Sequence, residues 1–210
     1  MSAINPHAVA AAKDAAPSAS SPAAVAAVTA VLFGGAIFGF FYAWTCSTMW
    51  GLDATDPRVA ITAMQAMNDS VRNAVFFPAF FLTPAVMGLA AVLCLRERRR
   101  RSAVLLFAAA VVYLLGGLVL TMAVIVPMNG SLAAVVVPED PAEAERIWTG
   151  YSQPWQAWNA VRAALSGVAL LAATLAVLHL RHRSSAPGST AEGDAPAATR
   201  PAGKAGPAQA

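Results

Sequence analysis

The sequence predicts an all-α protein: a four-helix transmembrane bundle with helical extensions on its extracytoplasmic side. Three observations carry this. Of 210 residues, 58% are hydrophobic and only 12% charged, too apolar a balance for an ordinary soluble surface. Four apolar stretches exceed the roughly 18 residues that a membrane span requires: Ala23 to Thr45, Val75 to Leu95, Ser102 to Val126 and Ala157 to Leu180. None alternates as barrel strands do, so each must close its backbone hydrogen bonds as a helix.

The first stretch is longer than the roughly 7 to 15 apolar residues of a signal-peptide core, and no small-residue cleavage pattern follows it, so it is expected to be retained. Cys46 lacks the residues expected before a lipid-modified cysteine. Gly35 and Gly39 lie one turn apart on this helix, and Gly116-Gly117 on the third. The reading taken is close packing inside the bundle, with a homodimer contact as the alternative. Cys46 and Cys94 fall near opposite ends of the first two spans, which argues against a disulfide between them.

Arg96-Glu97-Arg98-Arg99-Arg100-Arg101 joins the second and third spans, and Arg181-His182-Arg183 follows the fourth. Positive charge marks cytoplasmic flanks, which predicts a multi-pass cell-membrane protein with both termini in the cytoplasm. The formal charge of +3 therefore reads as a topology signal and not as a nucleic-acid surface. Residues 1–22 and 184–210, rich in Ala, Pro, Ser and Gly, read as flexible or disordered tails around a 23–183 membrane domain, with Arg200 and Lys204 placed to touch acidic lipid.

The two outer connections carry seven of the eleven acidic residues and read as helical extensions. Asp56-Pro57 is an N-cap and first-turn pair, and no breaker follows until Pro78, so the second helix is expected to begin well outside the bilayer and run on into it. Pro138-Glu139-Asp140-Pro141 reads as a turn that opens another helix running to the fourth span, kinked at Pro154.

Polar residues gather at this outer end. Gln65, Asn68 and Arg72 share one helical face that Phe76 and Phe80 continue, placing an arginine at the mouth of an aromatic wall. The bland alternative is an arginine snorkelling to headgroups or paired with Asp69. Trp148, Tyr151, Trp155, Trp158 or Asn159, and Arg162 form a second stripe entering the fourth span. An interfacial aromatic belt accounts for the tryptophans but poorly for Asn159 and Arg162, polar groups that need a partner or a wet cavity at the start of an apolar helix. Pro127 and Asn129 are expected to end the third helix at the same boundary, where capping is the ordinary use of an asparagine and ligand orientation the other.

Convergence of three polar sites at one depth points to a shared pocket lined by Asn68, Arg72, Asn129, Trp155, Trp158, Asn159 and Arg162. No histidine falls near it, because His7 lies in the tail and His179 and His182 at the other end. A histidine metal site, histidine-ligated haem and a Ser-His-Asp hydrolase are thereby excluded there, and no nucleotide fingerprint occurs. Paired broken helices and buried acids are also missing, which disfavours a transporter.

At the segments AITAMQAMNDSVRN (60–73), VPMNGSLA (126–133) and W-x-x-Y-x-x-x-W-x-x-WNAVRA (148–163), the chain resembles the anthrone oxygenase family of small integral membrane proteins. The resemblance covers about residues 30 to 180. It implies oxidation of a flat phenolic or anthrone-like substrate by molecular oxygen with neither metal nor flavin. It also implies charge stabilisation by Arg72 and Arg162, orientation of substrate oxygens by Asn68, Asn129 and Asn159, and ring stacking on Trp155 and Trp158. No catalytic base is identified; Asp69 is near along the helix but on a different face. The alternative is a non-enzymatic membrane protein that holds a lipid or quinone-like molecule, or supports a membrane partner, through the same outer pocket.

Overall fold

The computed structural model describes residues 21–184. The remainder of the two expected tails, with His7, Arg200 and Lys204, lies outside the described residues, as do the side chains of residues 181–184. Five helices are present among the described residues and no strands. We label them α1 (Pro22–Asp53), α2 (Pro57–Ser70), α3 (Phe76–Arg96), α4 (Arg100–Ala133) and α5 (Pro141–Ser184). Four of them, α1, α3, α4 and α5, are long and apolar enough to cross a membrane.

Around the bundle the order is α1, α3, α4, α5, each packing on its two neighbours, while α2 lies across one end against α5, the end of α1 and the end of α4. That capped end contrasts with the other, where Glu97 accepts a hydrogen bond from the Ala23 N–H at the start of α1 (3.0 Å). A carboxylate on a helix N-terminus satisfies an otherwise orphan donor and complements the dipole.

Lipid tails offer no hydrophobic drive for helix association, so the spans must meet through close contact and interhelical hydrogen bonds. In the half away from α2 the core is made of small residues, including Ala27, Ala30, Ala90, Ala103, Ala173 and Ala176, all fully buried or nearly so. The Ser102 hydroxyl donates to the Ala176 carbonyl across the α4–α5 contact (2.9 Å). Gly116 fits the expected close-packing role, since a Cβ there would meet the Leu165 side chain at 2.5 Å. Gly35 and Gly39 do not: a Cβ at either would meet nothing within 4 Å, so this pair faces outward from the bundle. Small residues one turn apart fix a helix face, but in an apolar span that face can equally be the lipid-facing one.

Proline placement shapes the half toward α2. Pro84 lies within α3 and removes the N–H that would bond the Phe80 carbonyl, and the Tyr113 hydroxyl from α4 donates to that carbonyl instead (2.9 Å). Pro127 does not end the third span as expected. The helix widens through two π-helical stretches, Leu114–Val119 and Thr121–Ile125, and continues past the proline to Ala133. The expected turn before Pro141 is present, with the Asp140 carboxylate accepting from the Ala142 N–H (3.1 Å), and α5 runs through Pro154 without interruption.

One expectation fails between α2 and α3. The helix from Pro57 is not continuous into the second span but breaks at residues 71–75, with no glycine or proline in the break. Asn73 explains it. Its Nδ2 donates to the Ser70 carbonyl at the end of α2 (2.7 Å), while its Oδ1 accepts from the N–H groups of Val75 and Phe76 at the start of α3 (both 2.9 Å). One side chain thus satisfies the ends of both helices, the local competition with helical bonding that asparagine offers.

Candidate functional site

The break and the widened stretch of α4 together open a cavity of about 230 Å³ below α2. Its walls come from Phe40 and Trp44 of α1, Met67 and Asn68 of α2, Arg72 in the break, Phe76, Phe77, Phe80 and Phe81 of α3, Thr121, Met122, Ile125, Val126 and Asn129 of α4, and Trp155 and Arg162 of α5. The aromatic wall is ordered: Phe76 stacks on Phe80 with centroids 5.4 Å apart, Phe40 lies 4.8 Å from Phe76, and Trp44 lies 5.3 Å from Trp155.

Asn129 is the hub of the polar side. Its Oδ1 accepts from the Tyr151 hydroxyl and from Trp155 Nε1, and its Nδ2 donates to Asn68 Oδ1, all at 2.9 Å. Because α4 continues past it, Asn129 caps no helix end, and its amide is held by side chains of α2 and α5 instead. The network joins α2, α4 and α5, and a buried amide with this many partners has its orientation fixed by them.

Arg162 sits beneath, 5% exposed. Its Nε donates to Asn159 Oδ1 (2.8 Å) and its Nη1 to the Thr121 hydroxyl (3.3 Å). The guanidinium carbon lies 4.2 Å from the centre of the Phe41 ring and 5.3 Å from that of Trp155. Aromatic faces favour a cation, but by only about 0.5 to 2 kcal/mol. No carboxylate reaches it: among the described residues the one ion pair is Arg58 with Asp56 at the surface.

The Asp56 carboxyl, hydrogen-bonded by the Arg58 side chain and backbone, is held at about 2, below its ordinary value of 3.8. That ion pair belongs to the start of α2 and leaves the pocket's own charge unbalanced.

Asn159 is buried beside Arg162 but does not line the cavity. Its Nδ2 donates to the Phe41 carbonyl (3.1 Å) and the Thr45 hydroxyl (2.8 Å), so it holds Arg162 in place and clamps α5 to α1. Trp158 is a correction to the expected site: it is 43% exposed and lies outside the cavity lining. Neighbours on a helix point about 100° apart, so Trp158 and Asn159 cannot both face inward. Arg72 does line the cavity but is exposed at its rim, without the alternative partner Asp69, which is itself exposed and faces elsewhere. Gln65 is not a site residue; its amide donates to the carbonyls of Leu132 and Val135 and so ties α2 to the end of α4.

Contributors absent from the expected lining include Phe40, Trp44, Phe77, Phe81, Thr121, Met122 and Val126, and Tyr151 acts through Asn129 without lining the cavity. Thr121 carried a readable signal, a lone hydroxyl in an apolar run two turns before Asn129. Asp53 also escaped notice. It accepts from Trp148 Nε1 (2.9 Å), Ser152 Oγ (2.7 Å) and Gln156 Nε2 (2.8 Å), fixing α5 against the end of α1 so that Tyr151 and Trp155 turn toward Asn129.

Fold and site define a polytopic helical membrane protein with an apolar pocket closed by an amide network and a buried arginine. Residues 70–172 match the family model described as anthrone oxygenase, a stretch holding Arg72, Asn129, Trp155, Asn159 and Arg162. Over that stretch, just under half of the chain, this membrane protein is similar to the anthrone oxygenase family. No curated protein and no solved structure gives a significant match to it.

Proposed function

We propose that the pocket takes the anion of a flat, oxygen-bearing aromatic molecule, an anthrone or related phenol, and exposes it to molecular oxygen. The observation that carries this reading is Arg162: a buried guanidinium facing an apolar cavity with no protein carboxylate to balance it. A charge at that depth costs a few kcal/mol unless matched, and an anionic ligand is the partner that would match it.

The chemistry needs little else. Loss of a proton from the methylene carbon of an anthrone gives an enolate whose oxygen bears the charge, and a fixed donor at that oxygen lowers the cost of forming it. Oxygen then adds at the former methylene carbon and water leaves, so that anthrone and O2 become anthraquinone and H2O. Arg162 supports the enolate oxygen, Asn129 and Asn68 orient a second oxygen, Trp155 and the Phe76–Phe80 stack hold the rings, and Arg72 serves the rim. A binding protein for a lipid or quinone-like ligand is the second reading, favoured by the lining itself, which contains no Asp, Glu or His to take the proton.

Oxygen uptake by purified, metal-free protein given a panel of anthrones and hydroquinones separates the two. Arg162→Met and Arg162→Lys should each lower ligand affinity by about tenfold or more, since lysine lacks the planar fork. Thermal stability should hold or rise in Arg162→Met, because an unbalanced buried charge is removed. Parallel losses of stability and binding would make Arg162 a structural residue only.

We further propose that the capped end is extracytoplasmic and that both termini lie in the cytoplasm of a cell-membrane protein, from the arginines of the 96–101 connection. Arg100 is exposed, so an Arg100→Cys variant should be labelled only after the membrane is breached; labelling on intact cells would reverse the topology.

A further inference from the structure

We infer that the pocket is loaded sideways from the membrane, through a portal between the outer halves of α3 and α4, and that its ligand is a lipid-partitioned molecule. The inference rests on the pocket being a ligand site and adds the route and the class that the route admits.

The helices themselves make the opening. α3 packs closely along the regular part of α4, Arg100–Tyr113, but has no comparable contact with the stretch from Thr121 to Ala133. The π-helical turns at Leu114–Val119 and Thr121–Ile125 lie where the two part. Widened turns change the phase of a helix, and such turns gather at functional sites.

The rim is apolar and faces outward. Phe77 and Phe81 on α3 and Met122 and Val126 on α4 all line the cavity, yet each is between 40% and 47% exposed. All four lie within candidate membrane spans, so what they meet there is lipid. An apolar mouth in hydrocarbon admits an apolar ring system at no desolvation cost, whereas a charged, water-soluble molecule would have to shed its hydration first.

The water-facing side is closed instead. α2 lies across the bundle end, its Ile61 and Met64 fully buried with Trp148 and Tyr151 over the cavity, and the Asn68–Asn129–Tyr151 hydrogen bonds stitch α2, α4 and α5 together above it. Arg72 alone is both cavity-lining and a rim cation, placed in the break where α3 starts, a position suited to steering an acidic phenol lying at headgroup depth.

The test uses the full chain in phosphatidylcholine vesicles, with 1,8-dihydroxyanthrone under argon as the probe and stopped-flow quenching of tryptophan fluorescence as the readout. Across 1,8-dihydroxyanthrones with longer alkyl substituents, compared at one free aqueous concentration, loading should speed in step with the concentration in the membrane. Met122→Trp should slow loading by about tenfold, and Phe81→Ala should speed it. A sulfonated anthrone kept out of the bilayer should fail to load. A loading rate that follows the aqueous concentration of probe and ignores both rim variants would overturn the portal while leaving the ligand reading intact. Absence of quenching in the wild-type protein at saturating probe would remove the ligand reading, and the portal with it. Should Met122→Trp not fold, Phe81→Ala and the alkyl series decide the matter.

Discussion

The two halves of this bundle are made from the same four spans and packed by opposite rules. Away from α2, alanines bring regular helices into contact and the interior is dry. Toward α2, the same helices part around aromatic rings, amides and a buried arginine. Because helix association in lipid draws on close contact and hydrogen bonds, the small-residue half can hold the assembly together while the other half gives up packing for a cavity. Close packing and the cavity are thus lodged at different depths.

Substitutions can break this division. The largest effect should come from Asn129→Asp. The new carboxylate would sit in a lining that also holds Arg162, supply the missing counter-charge from the protein and repel an anionic ligand, lowering affinity by about a hundredfold; a retained affinity for phenolate probes would show that ligand charge is not what the pocket selects. Where helices pack on one another the expected effect is on stability. At Gly116 the added methyl meets Leu165 at 2.5 Å, so Gly116→Ala should cost about 2 kcal/mol in a detergent unfolding titration. Gly35→Ala, which meets nothing, should hold or gain stability; equal losses at both glycines would place Gly35 in a contact this single chain does not contain.

The smallest effect belongs to the connection at the far end. Arg98 has φ 58°, a left-handed conformation that costs a side-chain-bearing residue about 1 kcal/mol. Arg98→Gly should therefore stabilise slightly, read as a small rise in melting temperature. No change would mean that the side chain repays the strain.

The four spans, the Asp56 cap and the Asp140 turn were legible in the sequence because length, hydropathy and capping chemistry are local. So were Asn68, Arg72, Asn129, Trp155 and Arg162, since a polar or amphipathic group at the edge of an apolar run has few uses there. The rest failed for a physical reason. In a soluble helix the polar face shows which way is out, but in a span lipid-facing and core-facing residues are both apolar. Trp158 and Trp155 therefore looked equivalent, Gly35 looked like Gly116, and Phe40 and Trp44 gave no sign of facing a cavity. The break at Asn73 and the continuation past Pro127 escaped because each depends on where one side chain or one widened turn sends its hydrogen bonds.

Those widened turns in α4 also set how the protein can vary. Each residue of a helix turns the chain by about 100°, so a π-helical stretch acts as a phase shifter between the segments it joins. Before it, Ala103 and Leu106 keep their register with the alanines of α5; after it, Thr121 and Asn129 point into the cavity. Losing one residue between Leu114 and Ile125 would rotate the whole outer segment and swing Asn129 out of its network, with the inner contact undisturbed. The span therefore behaves as two dials on one shaft, and the part that lines the cavity can be reset without retuning the part that holds the bundle.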